Sequence, residues 1–365
     1  MAGYYDVYNG EIYVASANSH DVFVINGSTD SIVQKISVGG PPSFLLYEPQ
    51  SKELFVLNYN PYSISIINTS SNTVASTIKN AGGPAVLDPY TNTVYATQYS
   101  CSSQSPTSCT SNLLAIDGSK DTVQKVISLP RYPAGPPSAL AYDPSNKYLY
   151  AAIPNNAQPA YLAAPGNVTV INTVTNTRIL NITVGYSPDA MVYDPHSGNI
   201  YVSNLKGLGI SVIDGSTNTL LTSVELNYSP TLLALDPQSG DIYVMSSGTG
   251  PQTGGTNSTA VISATSSSVV ANVFVGYSPC AAAYDNGSGV MFVSNLVDSF
   301  VPSHVSWRGN STSEISTTTH QVISTIHASI GSEWSTEQIL FNQEGTKMYL
   351  LNPVSNVIYV VSLQS

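Results

Sequence analysis

The segment YDPHSGNIYVSN, residues 193–204, returns along the chain in altered spellings. It reads YEPQSKELFVLN at 47–58, LDPYTNTVYATQ at 87–98, YDPSNKYLYAAI at 142–153 and LDPQSGDIYVMS at 235–246. Aligned on the acidic corner, eight copies appear, at Asp6, Glu48, Asp88, Asp143, Asp194, Asp236, Asp285 and Asn342, with 40 to 57 residues between successive corners. Each copy reads as short strands. A first strand (AMVYD) runs into the corner, where Pro fixes φ and Gly or Asn accepts positive φ. A second (NIYVSN) and third (ISVID) follow, then a polar hairpin (GSTNT) and a fourth strand (LLTSVEL). Apolar and polar residues alternate with period two, and no segment sustains a helical period.

Four strands repeating every 40–50 residues predict a β-propeller, whose blades bury their faces only by stacking into a closed ring. The expected fold is all-β, with eight four-stranded antiparallel blades in a single domain. They fall near 1–39, 40–80, 81–130, 131–185, 186–226, 227–276, 277–328 and 329–365. The alternative is seven blades with extra strands. The eighth copy supplies only three strands by Ser365, so its blade is expected to lack the outermost strand. Such an edge is open to a strand from a neighbouring molecule, or to cover by solvent or a loop.

The second strands FVLN, YVSN, FVSN and YLLN, ending at Asn58, Asn204, Asn295 and Asn352, with the VID…TNT segments after them, resemble the YVTN-family β-propeller repeat. The resemblance spans nearly the whole chain. It implies a propeller of the kind found in archaeal and bacterial cell-surface and surface-layer proteins, while related propellers include lyase enzymes. It therefore specifies fold more than function. Copies four and six depart from it, with Ile153 and Ser246 at the Asn position. A structural role at the strand end is the better reading of that Asn.

Composition narrows the setting. Of 365 residues, 9% are charged and 42% hydrophobic, and the formal net charge is −11. A basic nucleic-acid footprint is absent. No apolar run of 18 residues occurs, so no transmembrane helix is expected. A sparsely charged surface suits an extracellular or cell-surface setting, including an acidic one, and a removed signal peptide is expected. Eight N-x-S/T sequons stand at Asn26, Asn68, Asn167, Asn181, Asn227, Asn257, Asn286 and Asn310, as candidate glycosylation sites or as chance products of a chain rich in Asn, Ser and Thr. Asn26 and Asn68 occupy turn positions held elsewhere by Asp117 and Asp214. Cys101 and Cys109 bracket a polar loop and are expected to pair in an oxidising compartment, worth roughly 2–3 kcal/mol. Cys280 reads as a small buried hydrophobe. Neither a metal site nor a cofactor is expected.

Function in a propeller lies in the loops, because the strands are committed to packing. Insertions at 98–112, 153–167, 246–259 and 296–313 all separate a second strand from a third. The antiparallel course puts all four on one face, with the long connectors 129–137 and 327–337. These loops carry Tyr99, Arg131, Tyr132, Trp307, Arg308 and Trp334, the candidate contact residues for a protein or cell-surface glycan, and also Tyr161 and Phe300. The competing reading is that the rings pin the loops to the body. The catalytic scan finds no nucleophile elbow, zinc helix or P-loop. His304 with Glu333 or Glu337 is the one acid–base grouping of interest. The reading that follows is an extracellular recognition scaffold, with self-association an added expectation. The alternative is a secreted lyase- or hydrolase-like enzyme acting at the channel mouth.

Overall fold

The computed structural model describes residues 2–101, 109–130, 136–155, 164–246, 256–297, 310–328, 338–352 and 357–363. They form eight antiparallel sheets, each a simple meander of strands A to D, except that the eighth has three strands. Blade 1 contains strands Ala2–Asp6, Glu11–Ser16, Asp21–Asn26 and Ser31–Ser37, and blade 8 contains Gln338–Phe341, Lys347–Asn352 and Val357–Ser362. The molecule is an eight-bladed β-propeller, and among the described residues the last blade lacks its outer strand. Strand A of each blade lies innermost against strand A of its neighbours, and the first blade meets the eighth to complete the circle.

The strands differ by their place in the blade. Strand B buries both faces: Ile12, Tyr13, Val14 and Ala15 are all at most 1% exposed. The period-two alternation expected from sequence fails there, because a strand between two stacked blades has no solvent side. Strand D is the reverse, with most of its residues facing solvent. Along Ser31–Ser37 only Ile36 is buried, packing into the core between blades 1 and 2. Seven blades also carry a register shift between strands C and D, two residues before the turn, as at Val24/Ile25 and Val212/Ile213. Such a bulge adds local twist.

Two side-chain devices fix the corners and the stacking. The corner carboxylates are buried and cap their own turns: Asp194 Oδ1 accepts from His196 N at 2.9 Å, and Asp88 Oδ1 from Tyr90 N at 2.9 Å. The strand-B tyrosines then clasp the next blade. Tyr13 Oη donates to Asn72 Oδ1 at 2.6 Å, Tyr95 Oη to Asn176 Oδ1 at 2.6 Å, and Tyr150 Oη to Asn218 Oδ1 at 2.7 Å. Each acceptor is the left-handed residue of a C–D turn, with φ between 52° and 56°. Tyr349 of blade 8 does the same to Asp30 of blade 1, at 3.0 Å, and Lys347 Nζ joins at 2.7 Å.

That last clasp closes the ring. Gln338 adds two bonds to the first strand, accepting from Gly3 N at 2.6 Å and donating to Gly3 O at 3.1 Å. Gly3 permits the approach, because a Cβ there would sit 2.6 Å from Leu351 Cδ1 and 2.7 Å from Leu340 Cδ1. Among the described residues, closure therefore rests on side chains and packing, with no strand of one blade inserted into the other.

Candidate functional site

The meander sends B–C turns and D–A connectors to one face, and A–B and C–D turns to the other. All four long insertions therefore emerge together. Two are partly regular structure rather than loop. In blade 3 the strands Thr93–Cys101 and Cys109–Asp117 stay paired to their ends, whereas in blade 7 Val290–Val297 and Asn310–Ser316 pair only as far as Asn295 opposite Ser311. The first of these rises from the face as a ribbon that brings Cys101 and Cys109 directly opposite each other.

Tyr99 lies on this ribbon, half-buried. Its neighbours were not among the expected residues. Tyr59 and Tyr62 come from the short B–C turn of blade 2, with ring centroids 5.1 Å apart at 80°, an edge-to-face pair. Burial first, then Tyr59 and Tyr99 beside it, push the Tyr62 phenol up to about 12. Gly82 of the next connector makes room, since a Cβ there would stand 2.9 Å from Tyr62 Cδ1. Tyr59 is 57% exposed, so the cluster has a half-buried base and one open ring. The signal was in NYNPYS, but a search for long insertions passed over a short turn. Arg131, Tyr132, Tyr161, Phe300, His304, Trp307, Arg308, Glu333, Trp334 and Glu337 lie outside the described residues.

The repeat asparagines lie at this end of the blades and are buried. Asn58 Nδ2 donates to Val38 O, at the end of blade 1, at 3.0 Å, and to Ser65 Oγ at 3.0 Å. Asn204 Nδ2 donates to Ser211 Oγ at 3.0 Å, and a Cβ on Gly185 would meet its side chain at 2.4 Å. These residues tie the incoming connector to the strand end, the structural role expected for them.

At the inner end of the same face, equivalent positions at or just before the start of strand A hold Ser43, Ser138, Thr231 and Cys280. Each donates to the carbonyl of a strand-B residue: Leu57 O at 3.1 Å, Ala152 O at 3.4 Å, Met245 O at 3.5 Å and Ser294 O at 3.4 Å. Cys280 is thus a half-buried donor rather than a buried hydrophobe. Blade 5 places Asp189 at this position, in a register shift between Pro188 and Met191. A carboxylate cannot donate, and burial raises this carboxyl above its usual range.

Of the sequons, Asn26 and Asn68 hold turns: Asn26 Oδ1 accepts from Ser28 N at 2.9 Å, and Asn68 Oδ1 from Ser70 N at 3.0 Å. Asn167 is half-buried, whereas Asn181, Asn227, Asn257 and Asn286 are exposed. The Asn310 side chain lies outside the described residues.

No family model matches the chain, and no curated protein matches its sequence. Solved structures do match in shape. Dihydro-heme d1 dehydrogenase NirN in complex with DHE superposes with a TM-score of 0.70 at 12% identity, over 95% of this chain and 69% of that one. Kuenenia stuttgartiensis hydrazine synthase gives 0.56 at 14%, over 97% and 93%. At these identities the likeness is one of fold, and the chain stands with them as a β-propeller.

Proposed function

We propose that this chain is an extracellular or cell-surface recognition module of the YVTN-repeat kind. It binds a protein or a glycan through the face that carries the long B–C segments. The observation that carries the reading is the cluster of Tyr59, Tyr62 and Tyr99, an aromatic platform with one ring open to solvent on that face. Tyrosine supplies large, rigid contact area at low entropic cost and stacks on sugar or peptide alike. The paired position of Cys101 and Cys109 suits a ribbon stiffened by a disulfide in an oxidising compartment, and the four exposed sequons suit glycosylation there. The test is binding to a glycan array and to cell envelopes by wild type and by Tyr59→Ala/Tyr99→Ala. Retention should fall at least tenfold in the double variant. Equal retention sinks the assignment of this face.

A second reading, an enzyme of the lyase or hydrolase type, draws on Asp189. Its carboxyl, raised by burial, lies on the innermost strand at the channel end of the same face. A general acid of that kind is what such chemistry requires. Turnover of a polysaccharide panel that disappears in Asp189→Asn would favour this reading over the first.

A further inference from the structure

Each corner places one residue between its acidic residue and the amide that the carboxylate caps. In blades 2 to 6 that residue is proline: Pro49, Pro89, Pro144, Pro195 and Pro237. Proline suits the turn and carries no reactive side chain. Blade 7 departs from this pattern. Its corner reads DNGS, so Asn286 takes the proline's place and Gly287 supplies the capped amide. An asparagine followed by glycine is well suited to an intramolecular reaction. The glycine nitrogen can close a five-membered ring on the side-chain carbonyl carbon, and no Cβ obstructs the approach.

The chain has three such pairs, Asn9–Gly10, Asn26–Gly27 and Asn286–Gly287, and the fold treats them differently. Asn9 Nδ2 donates to Glu11 Oε2 at 3.0 Å, to Tyr13 Oη at 3.1 Å and to Thr69 O at 3.2 Å, and its Oδ1 accepts from Glu11 N at 2.9 Å. Asn26 Oδ1 is held by Ser28 N at 2.9 Å and Thr29 N at 3.0 Å. The glycine amides that follow are committed to carbonyl oxygens: Gly10 N donates to Asp6 O at 2.8 Å, and Gly27 N to Gly10 O at 3.0 Å. A peptide carbonyl is too weak a base to carry off a proton. Asn286, by contrast, is exposed, and no hydrogen bond holds its side chain among the described residues. Its glycine amide donates to a carboxylate, Gly287 N to Asp285 Oδ1 at 3.1 Å. Asp285 is 5% exposed and is fixed by two further donors, Ser288 N at 3.2 Å and Ser288 Oγ at 2.6 Å. Its oxygen stands at the distance of a general base from the group it deprotonates.

We propose that Asn286 is a site of self-modification, where the chain converts its own side-chain amide to an acid with Asp285 as the base. Asp285 takes the Gly287 N–H proton as that nitrogen bonds to Asn286 Cγ. The Cγ–Nδ2 bond then breaks, and the proton leaves with Nδ2 as ammonia. The product is a five-membered cyclic imide. Water opens the imide at either carbonyl, giving aspartate, or isoaspartate with the main chain routed through Cγ. Both products end the sequon that Asn286 forms with Ser288. A glycan on Nδ2 and this reaction therefore compete for one side chain. The turn lies on the face opposite the long B–C segments, so the assignment stands apart from that of the recognition face.

The test follows the whole chain, produced without glycosylation, at neutral pH by peptide mass mapping, with isoaspartate counted by enzymatic methylation. In the folded protein Asn286 should convert at least tenfold faster than Asn9 and Asn26, and in urea the three rates should converge. Asp285→Asn should slow conversion of Asn286 at least threefold. A carboxylate that merely capped the turn gives the opposite result, because its loss loosens the turn and speeds the reaction. Asp285→Glu keeps a carboxylate, as Glu48 does at the corner of blade 2, and should restore the rate. Circular dichroism checks the fold of each variant. The comparison of the three asparagines needs no variant: an Asn286 that converts no faster than Asn9 or Asn26 in the folded protein overturns the proposal. A lead that persists undiminished in urea also overturns it, since the preference then belongs to local sequence and not to the fold. A rate in Asp285→Asn equal to or above wild type overturns the assignment of the base.

Discussion

Asp189 stands where four other blades place a hydrogen-bond donor, and only its protonated form can donate. Its carboxyl titrates above the usual range in the folded state. The folded protein therefore holds this proton more tightly than the unfolded chain, and the associated stability is lost as pH rises from about 4. Asp189→Ser restores the usual donor. At pH 7 it should raise the denaturation midpoint by the equivalent of about 0.5–1.5 kcal/mol, with no gain at pH 3.

Glu53 behaves alike for a different reason. At the equivalent place in blade 1, Glu11 Oε2 accepts from Asn72 Nδ2 at 3.0 Å. Glu53 meets Asp121 instead, at the same left-handed turn position, and Phe55 brings no hydroxyl to the clasp. Burial, then Asp121, then Glu48 raise Glu53 to about 7. The stabilising proton is fully held below about pH 4.5 and is lost between there and about 7. Thermal melts should show stability falling across that window, and Glu53→Gln should flatten the slope. A wild-type melting temperature that does not change from pH 4.5 to 7 contradicts the account. An acid-favouring junction agrees with a surface that carries few charges.

The tyrosine clasp is the unit of assembly among the elements. Tyr13, Tyr95 and Tyr150 each reach an Asn in the following blade, and Tyr349 reaches Asp30 across the closure. Removing one hydroxyl leaves a partly buried acceptor short of a donor. Tyr150→Phe should therefore cost about 1 kcal/mol in urea denaturation. Both halves of the clasp are visible in sequence, as the Tyr of IYV and the Asn of TNT, but their meeting is not. The partners lie some 60 to 80 residues apart and belong to different repeats, so local spacing carries no sign of it. The elongated strands of blade 3 were hidden for another reason: QYSC and CTSN are polar throughout and offer no alternation to read. The corners, by contrast, were legible residue by residue, because a buried Asp capping its own turn needs the same few residues each time.

For the whole molecule, the eightfold repeat announced the ring, and the three-stranded last blade was countable from the sequence. Tyr99 was found by its place in an insertion, while Tyr59 and Tyr62 escaped notice in a minimal turn, so two of the three rings of the aromatic platform were a product of folding rather than of spacing. Closure can be tested at Gly3, where two leucines already occupy the space a side chain would need. Gly3→Val should lower the melting temperature by several degrees, roughly 2–4 °C per kcal/mol for a chain of this size or somewhat less. The same change at half-buried Gly198 would meet nothing within 4 Å and would act only through the backbone, whose φ of +71° a valine resists.

Because Gln338, Lys347 and Tyr349 fasten the last blade to the first with no interlaced strand among the described residues, the circle behaves as a band with a buckle. Under a pull applied to blades 1 and 8, rupture should begin at their junction and peel away from it one sheet at a time.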